Sequence, residues 1–186
     1  MRDVLFIQGA GEGTHANRDI HLVESLRRRL GPSCSVRYPE MPDEANPTVA
    51  AWRPVVEREL AALPPGSVVV GHSVGGTVLI HVLAEAAPTN GLGAIMSISA
   101  PFIGDGGWPS EEIAPFTDLA ERLPDAPIYV YHGEDDAEVP VSHVDRYAAA
   151  LPRAHVHRLA GRDHQLNNDL SDVARDLSAM RSSREG

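Results

Sequence analysis

Short apolar runs alternate with amphipathic segments along the chain. The runs are rich in β-branched or aromatic residues and are closed by glycine, proline or acidic residues, as is typical of strands in a parallel sheet. Such strands are covered on both faces, so their residues need not alternate between apolar and polar. The pattern predicts six strands, at residues 4–7, 34–38, 68–70, 94–98, 128–132 and 154–159.

Between these runs, apolar residues recur at the three- to four-residue spacing of an amphipathic helix. Proline and glycine mark the ends of the first two segments, at Gly31-Pro32 and at 64–66. Pro54 falls within the second segment, and we expect it to kink the helix or to lie in its first turn. The predicted helices cover residues 20–30, 49–63, 77–87 and 141–151, with a last one from about Asp169.

Strands that alternate with helices predict the fold class. We expect an α/β protein with a doubly wound, mostly parallel sheet of about six strands, helices on both faces and right-handed crossovers. The 186 residues suit a single domain, 1–186, with a core of ordinary size. Residues 181–186 are expected to fray.

The third predicted strand ends in a motif that points to chemistry. It continues into Gly-His-Ser-Val-Gly-Gly at 71–76, and a helical pattern follows. A strand that turns sharply into a helix at a serine exposes the hydroxyl at the sheet edge, so Ser73 is the candidate nucleophile. Gly71 and Gly75 are expected to face each other across the turn, where a Cβ would clash. The alternative is an ordinary strand-to-helix turn with a serine near the helix start.

A serine hydroxyl needs a base to take its proton and a carboxylate to orient that base. Asp135 and Asp136 follow the fifth predicted strand, and His164 follows the sixth. The carboxyl ends of parallel strands lie along one edge of the sheet, so these side chains are expected close to Ser73. The candidate catalytic residues are Ser73, Asp136 and His164, in the chain order serine, acid, histidine.

These motifs resemble those of the α/β-hydrolase superfamily, in a small and nearly cap-less form. They are Gly-His-Ser-Val-Gly-Gly at 71–76, His-Gly-x-x-Asp-x-x-Val-Pro at 132–140 and Gly-x-x-His at 161–164. The second motif selects Asp136 as the acid. Met41-Pro42-Asp43 and Trp52 loosely resemble the serine hydrolases related to retinoblastoma-binding protein nine. Gln8 departs from the superfamily, which often has histidine there.

The resemblance implies a serine hydrolase that cleaves a small acyl ester, thioester or amide through an acyl-enzyme on Ser73. A small-molecule acyl substrate is the expected partner. The resemblance also implies an oxyanion hole formed by the backbone amides of Ala10 and Val74, because such donors stabilise the developing negative charge. The glycines around Ala10 would let the backbone approach the substrate, or they would only make a tight turn.

Further residues are candidates for substrate contacts. Residues 101–117, rich in glycine and proline, are predicted to form a short cap segment over the site. Polar residues in loops are usually solvated, and a histidine after a buried strand can simply fill space beside the turn; the apolar candidates are equally compatible with packing alone. The candidates are Glu12, His15, His72, Phe102, Ile103 and Trp108.

The composition of the chain limits the classes of partner that it is expected to bind. The formal net charge of −10 disfavours nucleic acid and anionic membrane surfaces. No run approaches the ~20 apolar residues of a membrane-spanning helix, and no signal peptide is recognisable, which favours the cytoplasm. Cys34 is the single cysteine, so no internal disulfide is possible.

Two other classes of function compete with hydrolysis. Gly9-x-Gly11 after the first strand resembles the start of a dinucleotide-binding turn, but Thr14 stands where that fingerprint has its third glycine. A binding protein without activity could also use this scaffold. Nine histidines without metal-ligand spacing give no reason to expect a metal, and we expect no cofactor.

Overall fold

A computed structural model describes residues 2–182, which form one six-stranded parallel sheet between two layers of helices. Residues 183–186, part of the tail expected to fray, lie outside the described residues. The strands are β1 (Arg2–Ile7), β2 (Cys34–Arg37), β3 (Val68–His72), β4 (Ala94–Ile98), β5 (Ile128–Gly133) and β6 (His155–Leu159). The helices are α1 (Asp19–Leu30), α2 (Val49–Ala61), α3 (Ser73–Glu85), α4 (Leu119–Arg122), α5 (Ser142–Ala150) and α6 (Ser171–Ser182).

The strand order β2-β1-β3-β4-β5-β6, with every pair parallel, confirms the predicted α/β fold class. The chain leaves β1 toward one edge of the sheet and later builds from β3 toward the other. The loops after β1 and β3 therefore diverge, and open parallel sheets bind ligands in the crevice at such a reversal. This crevice lies beside Ser73.

Each face of the sheet has its own apolar core. Leu5, Ile7 and Val69 face one side, where they cluster with residues of α2, α3 and α5. Val4 and Phe6 face the other side, against α1 and α6. Successive side chains of one strand point to opposite faces, so the central strands β3 and β4 are buried along their whole length, whereas the edge strands β2 and β6 are only partly buried. Burial on both faces fixes the register of the strands that present the site.

Several helix bounds differ from the sequence prediction. Helix α3 begins at Ser73 rather than near residue 77, because the turn at the serine is itself the first helical turn. Pro54 lies at the sixth position of α2, beyond the first turn. A π-helix at Thr14–Arg18 and the short α4 were not predicted. Within residues 2–182, no helix has the length and apolar character needed to cross a membrane.

Candidate active site

Ser73 lies at the sharp turn between β3 and α3. His72 ends the strand in an extended conformation, and Ser73 has a φ of 51°. Positive φ is unfavourable for a residue with a Cβ, and this strain persists mainly at functional sites whose surroundings enforce it. The turn brings the Ser73 side chain to the carboxyl edge of the sheet.

Glycines allow the backbone to pack closely around this turn. A Cβ on Gly71 would lie 2.5 Å from the Cα of Gly76, and one on Gly75 would lie 2.0 Å from the carbonyl oxygen of Gln8. Gly71 therefore faces Gly76, and Gly75 faces the end of β1. The expected contact between Gly71 and Gly75 holds in part: a Cβ on Gly71 would lie 3.0 Å from the Gly75 carbonyl oxygen, but a Cβ on Gly75 would point to β1 and not to Gly71.

We expect Gly75→Ala to lower the free energy of unfolding by about 3 kcal/mol, because the new Cβ would collide with backbone rather than with a movable side chain. Gly91→Ala is the control. A Cβ there meets nothing within 4 Å, and only its φ of 67° is strained, at a cost of about 1–2 kcal/mol. Urea denaturation measures both losses, and equal losses would contradict the close approach at Gly75.

His164 approaches Ser73 from the loop after β6. Its Nε2 lies 3.0 Å from Ser73 Oγ, and its side chain is 7% exposed. Gly133 lets this loop cross the end of β5, since a Cβ there would lie 2.2 Å from the Arg162 carbonyl oxygen. The backbone amide of Asp135 donates to the same oxygen at 3.0 Å. The loop is thus fixed with the imidazole in reach of the serine.

Asp136 lies on the other side of the imidazole. Its Oδ2 is 2.8 Å from His164 Nδ1 and 3.2 Å from His132 Nε2, while its Oδ1 accepts from the backbone amides of Glu138 and Val139. Burial raises the pKa of Asp136, but hydrogen bonds from His132 and His164 outweigh it and hold the pKa well below its usual range. The group therefore stays ionised beside His164. Neighbouring Asp135 is exposed.

The loop after β1 lies against the serine. A Cβ on Gly9 would lie 3.1 Å from Ser73 Cβ. The amide of Gly9 donates to Asp19 Oδ2 at 2.7 Å, and that of Gly11 donates to the Glu44 carbonyl oxygen at 2.6 Å. These bonds fix the backbone on both sides of Ala10. On the other side of Ser73, Val74 is the second residue of α3, where amides have no partner within the helix.

A cavity of about 360 Å³ adjoins Val74. Two of the three apolar candidates line it, Ile103 and Trp108. Phe102 instead packs edge-on against Tyr147, with ring centroids 5.1 Å apart. The other apolar lining comes from α2, α3 and the segment after β4, and includes Val49, Trp52, Val78, Pro101 and Ile113. Polar residues also line the cavity, namely Thr48, Thr77, Ser110, Glu111 and Glu112.

The polar candidates lie in different settings. Glu12 is exposed, and the ring of His15 stacks on Tyr38 with centroids 4.3 Å apart. The prediction that His72 contacts substrate is not supported. Its side chain is 1% exposed, and its two ring nitrogens lie 2.9 Å from Asp19 Oδ2 and 3.1 Å from the His164 carbonyl oxygen. Packing under the turn leaves His72 no surface for a ligand.

Several residues of the site were missed by sequence reasoning. Asp19 is fully buried, although a helix-start acid is usually solvated and nothing in its sequence context marks it. At the rim, Arg18 and Glu138 form an ion pair of 2.7 Å, with the other Glu138 oxygen 3.8 Å from His164 Nε2. Across residues 2–182, no three His, Cys, Asp or Glu side chains are grouped closely enough to hold a metal ion.

Several solved structures share this fold over nearly the whole chain. The ydeN gene product of B. subtilis matches with a TM-score of 0.79 at 19% identity, over 98% of this chain and 100% of that chain. XC6422 of Xanthomonas campestris, an α/β serine hydrolase without a lid, matches with a TM-score of 0.65 at 19% identity, over 96% of this chain and 79% of that chain. Est1E of Butyrivibrio proteoclasticus, with ferulic acid bound, matches with a TM-score of 0.67 at 14% identity, over 98% of this chain and 89% of that chain. Such identities show the fold alone.

A family model described as serine hydrolase matches residues 11–169, which include Ser73, Asp136 and His164. No curated protein gave a significant match. The family match covers most of the chain and, together with the solved structures, confirms the resemblance drawn from the motifs. The chain has the α/β-hydrolase fold and belongs to the serine hydrolase family.

Proposed function

We propose that the protein is an esterase-like hydrolase that cleaves small acyl esters, thioesters or amides through an acyl-enzyme on Ser73. The observation that supports this most strongly is the chain of contacts from Ser73 Oγ to His164 Nε2, at 3.0 Å, and from His164 Nδ1 to Asp136 Oδ2, at 2.8 Å. Nucleophile, base and orienting acid are in hydrogen-bond reach without rearrangement.

In the proposed reaction, Ser73 Oγ attacks the acyl carbon as His164 Nε2 takes the hydroxyl proton. Asp136 holds the imidazole with Nε2 toward the serine and stabilises the imidazolium that forms. The backbone amides of Ala10 and Val74 are assigned to the oxyanion. The hydrogen bonds of Gly9 and Gly11 fix the backbone at Ala10, and the Val74 amide lies in the first turn of α3, where it has no hydrogen-bond partner within the helix. His164 then gives its proton to the leaving group, and water hydrolyses the acyl-enzyme by the same steps.

The mainly apolar cavity beside Val74 is assigned to the acyl group. Its volume of about 360 Å³ lies near the lower end of the roughly 300–1,000 Å³ of ligand pockets, which favours a small substrate. Residues 101–117 supply one wall, through Pro101, Ile103, Trp108 and Ile113. We assign this segment the role of a short cap within one domain that comprises the whole chain.

Dinucleotide binding is disfavoured by the loop after β1. The Gly9 amide, which a phosphate-binding turn would offer to the ligand, donates to the buried carboxylate of Asp19. That amide is therefore already occupied within the protein and is not available to a phosphate.

A panel of p-nitrophenyl acetate, butyrate, octanoate and laurate, with matching thioesters, tests the proposal. We expect turnover of the acetate and butyrate esters and a lower kcat/KM for laurate, because a cavity near the lower end of the ligand-pocket range favours short acyl chains. If the folded protein turns over none of these esters or thioesters, the proposal is wrong and a binding role on this scaffold is favoured.

Trp108→Ala tests the assignment of the cavity. We expect the KM for the butyrate ester to rise about tenfold, because the acyl chain loses apolar contact, and the KM for acetate to change less than about threefold. Phe116→Ala is the control, since Phe116 lies in the same segment but stacks on His81 outside the cavity lining. Equal effects on both esters, or a larger effect of Phe116→Ala, would place the acyl group elsewhere.

A further inference from the structure

A second acid–histidine pair lies directly beneath the candidate catalytic residues. Asp19 is 0% exposed and His72 is 1% exposed, with Asp19 Oδ2 and His72 Nδ1 2.9 Å apart. The same Asp19 oxygen accepts from the Gly9 amide at 2.7 Å, and Oδ1 accepts from Gln165 Nε2 at 3.1 Å. The mechanism above uses neither side chain, so the pair calls for a different role.

The contacts of the ring define its protonation. His72 Nε2 lies 3.1 Å from the backbone carbonyl oxygen of His164, and a carbonyl can only accept, so Nε2 carries a hydrogen. Nδ1 faces a carboxylate, the natural acceptor for a second hydrogen. An imidazole with hydrogens on both nitrogens is a cation.

The electrostatic surroundings agree with this protonation. Burial lowers the pKa of His72 and Arg18 opposes its charge, but the charge and hydrogen bond of Asp19 outweigh both, and the pKa of His72 is raised. Burial likewise raises the pKa of Asp19, yet the charge of His72 and the hydrogen bonds to the carboxylate leave it lowered. The ring of His164 lies 5.0 Å away, centroid to centroid.

We propose that Asp19 and His72 form a buried ion pair that positions two parts of the catalytic site at once: the backbone at His164 and the loop after β1 at Gly9. This positioning role rests on the function proposed above. The pair links the loop after β1, the turn at the serine and the loop after β6, which meet at the crevice. A buried pair of this kind holds its partners firmly because breaking it leaves an uncompensated charge.

The charge state is measured on the wild-type protein by nitrogen-15 NMR of its histidine rings at about pH 8, where an unperturbed imidazole is neutral. We expect both His72 nitrogens to be protonated in the folded protein and the ring to be neutral in the urea-unfolded sample. A folded protein in which one His72 nitrogen lacks its hydrogen would overturn the ion pair.

Two variants test the positioning. In His72→Asn the amide nitrogen takes the place of Nδ1, which keeps the contact to Asp19 and loses that to His164. In His72→Gln the longer side chain places its amide nitrogen where Nε2 was, which keeps the contact to the His164 carbonyl oxygen and loses the contact to Asp19. We expect His72→Asn to lower kcat between about 10-fold and 100-fold with KM within about threefold, because the base is displaced while the cavity is not. His72→Gln should recover part of that loss.

A purely structural role would lower the melting temperature of His72→Asn and leave its kcat within about threefold of wild type, and this result would overturn the positioning. If His72→Asn does not fold, Asp19→Asn, which preserves shape and the Gly9 contact, is held to the same kcat criterion. Wild-type protein that hydrolyses no ester overturns the proposed function and the positioning with it. Active wild-type protein with a neutral His72 overturns the ion pair alone.

Discussion

Replacement of His164 by glutamine is expected to lower kcat by about 10³-fold or more while the protein stays folded. Nε2 of His164 lies 3.0 Å from Ser73 Oγ, and an amide in its place can hold a hydrogen bond but cannot take the proton. The serine would then attack as a neutral hydroxyl, which is a weak nucleophile. Steady-state kinetics with p-nitrophenyl butyrate, together with a melting curve, measure the effect.

His155→Gln is the matched control, because His155 is an exposed histidine at the start of the strand that leads to His164. It should retain near wild-type kcat. If His164→Gln also retains near wild-type turnover, another histidine is the base, and His132 is the next to test. The position of His132 argues against that role, since its Nε2 lies 2.9 Å from the Val139 carbonyl oxygen.

Asp136→Asn is expected to lower kcat by about 10⁴-fold, the loss found when the corresponding serine-protease aspartate is replaced. The side-chain oxygen of the asparagine can still accept from the backbone amides of Glu138 and Val139, and its NH₂ group then faces His164 Nδ1. Nδ1 must then accept, so the hydrogen moves to Nε2 and blocks the lone pair that Ser73 needs. The imidazolium also loses its counter-charge.

Asp135→Asn separates this effect from a general loss of charge at the same loop. Asp135 is exposed, and its backbone amide, which this substitution keeps, donates to the Arg162 carbonyl oxygen, so kcat should fall less than about tenfold. Kinetics of the two variants under identical conditions decide between the carboxylates. A reversal of the two effects would place the orienting acid at Asp135, and two mild effects would place it outside this loop.

The sheet could be predicted from sequence because its central strands are buried on both faces and are therefore mostly apolar. Runs such as 68–70 and 94–98 are short, β-branched or apolar, and closed by turn residues, and the structure has strands there. The strand-end positions of Ser73, Asp136 and His164 followed from the same pattern. Parallel strands collect their carboxyl ends at one edge, so residues distant in sequence converge without any knowledge of their contacts.

Features that depend on packing between distant segments escaped prediction. Asp19 resembles an ordinary first-turn acid of a helix, and only the folded chain brings His72 and the Gly9 amide to it. For His72 the sequence leaves two alternatives, a substrate contact and space-filling beside the turn, and its burial agrees with the second. Adjacent strand residues point to opposite faces, so proximity to Ser73 in the sequence says little about which side chain reaches the crevice.

The cavity was foreseen only in part, for a similar reason. Ile103 and Trp108 line it, but Phe102 packs against Tyr147, since the direction of each side chain in an irregular segment depends on contacts that spacing cannot reveal. Trp52 lies at the cavity and also donates from its indole nitrogen to the Pro42 carbonyl oxygen. Trp52 therefore connects the loop at Pro42 to the wall of the cavity.

Reaction with a fluorophosphonate probe, followed by mass mapping of the labelled peptide, tests most directly whether Ser73 is the activated nucleophile. Ser99→Ala is the control, because Ser99 also follows a strand end at positive φ, 48°, yet is fully buried. We predict one adduct, on Ser73, at an undiminished rate in Ser99→Ala and absent in Ser73→Ala. An adduct on another serine, or unchanged labelling of Ser73→Ala, would contradict the assignment.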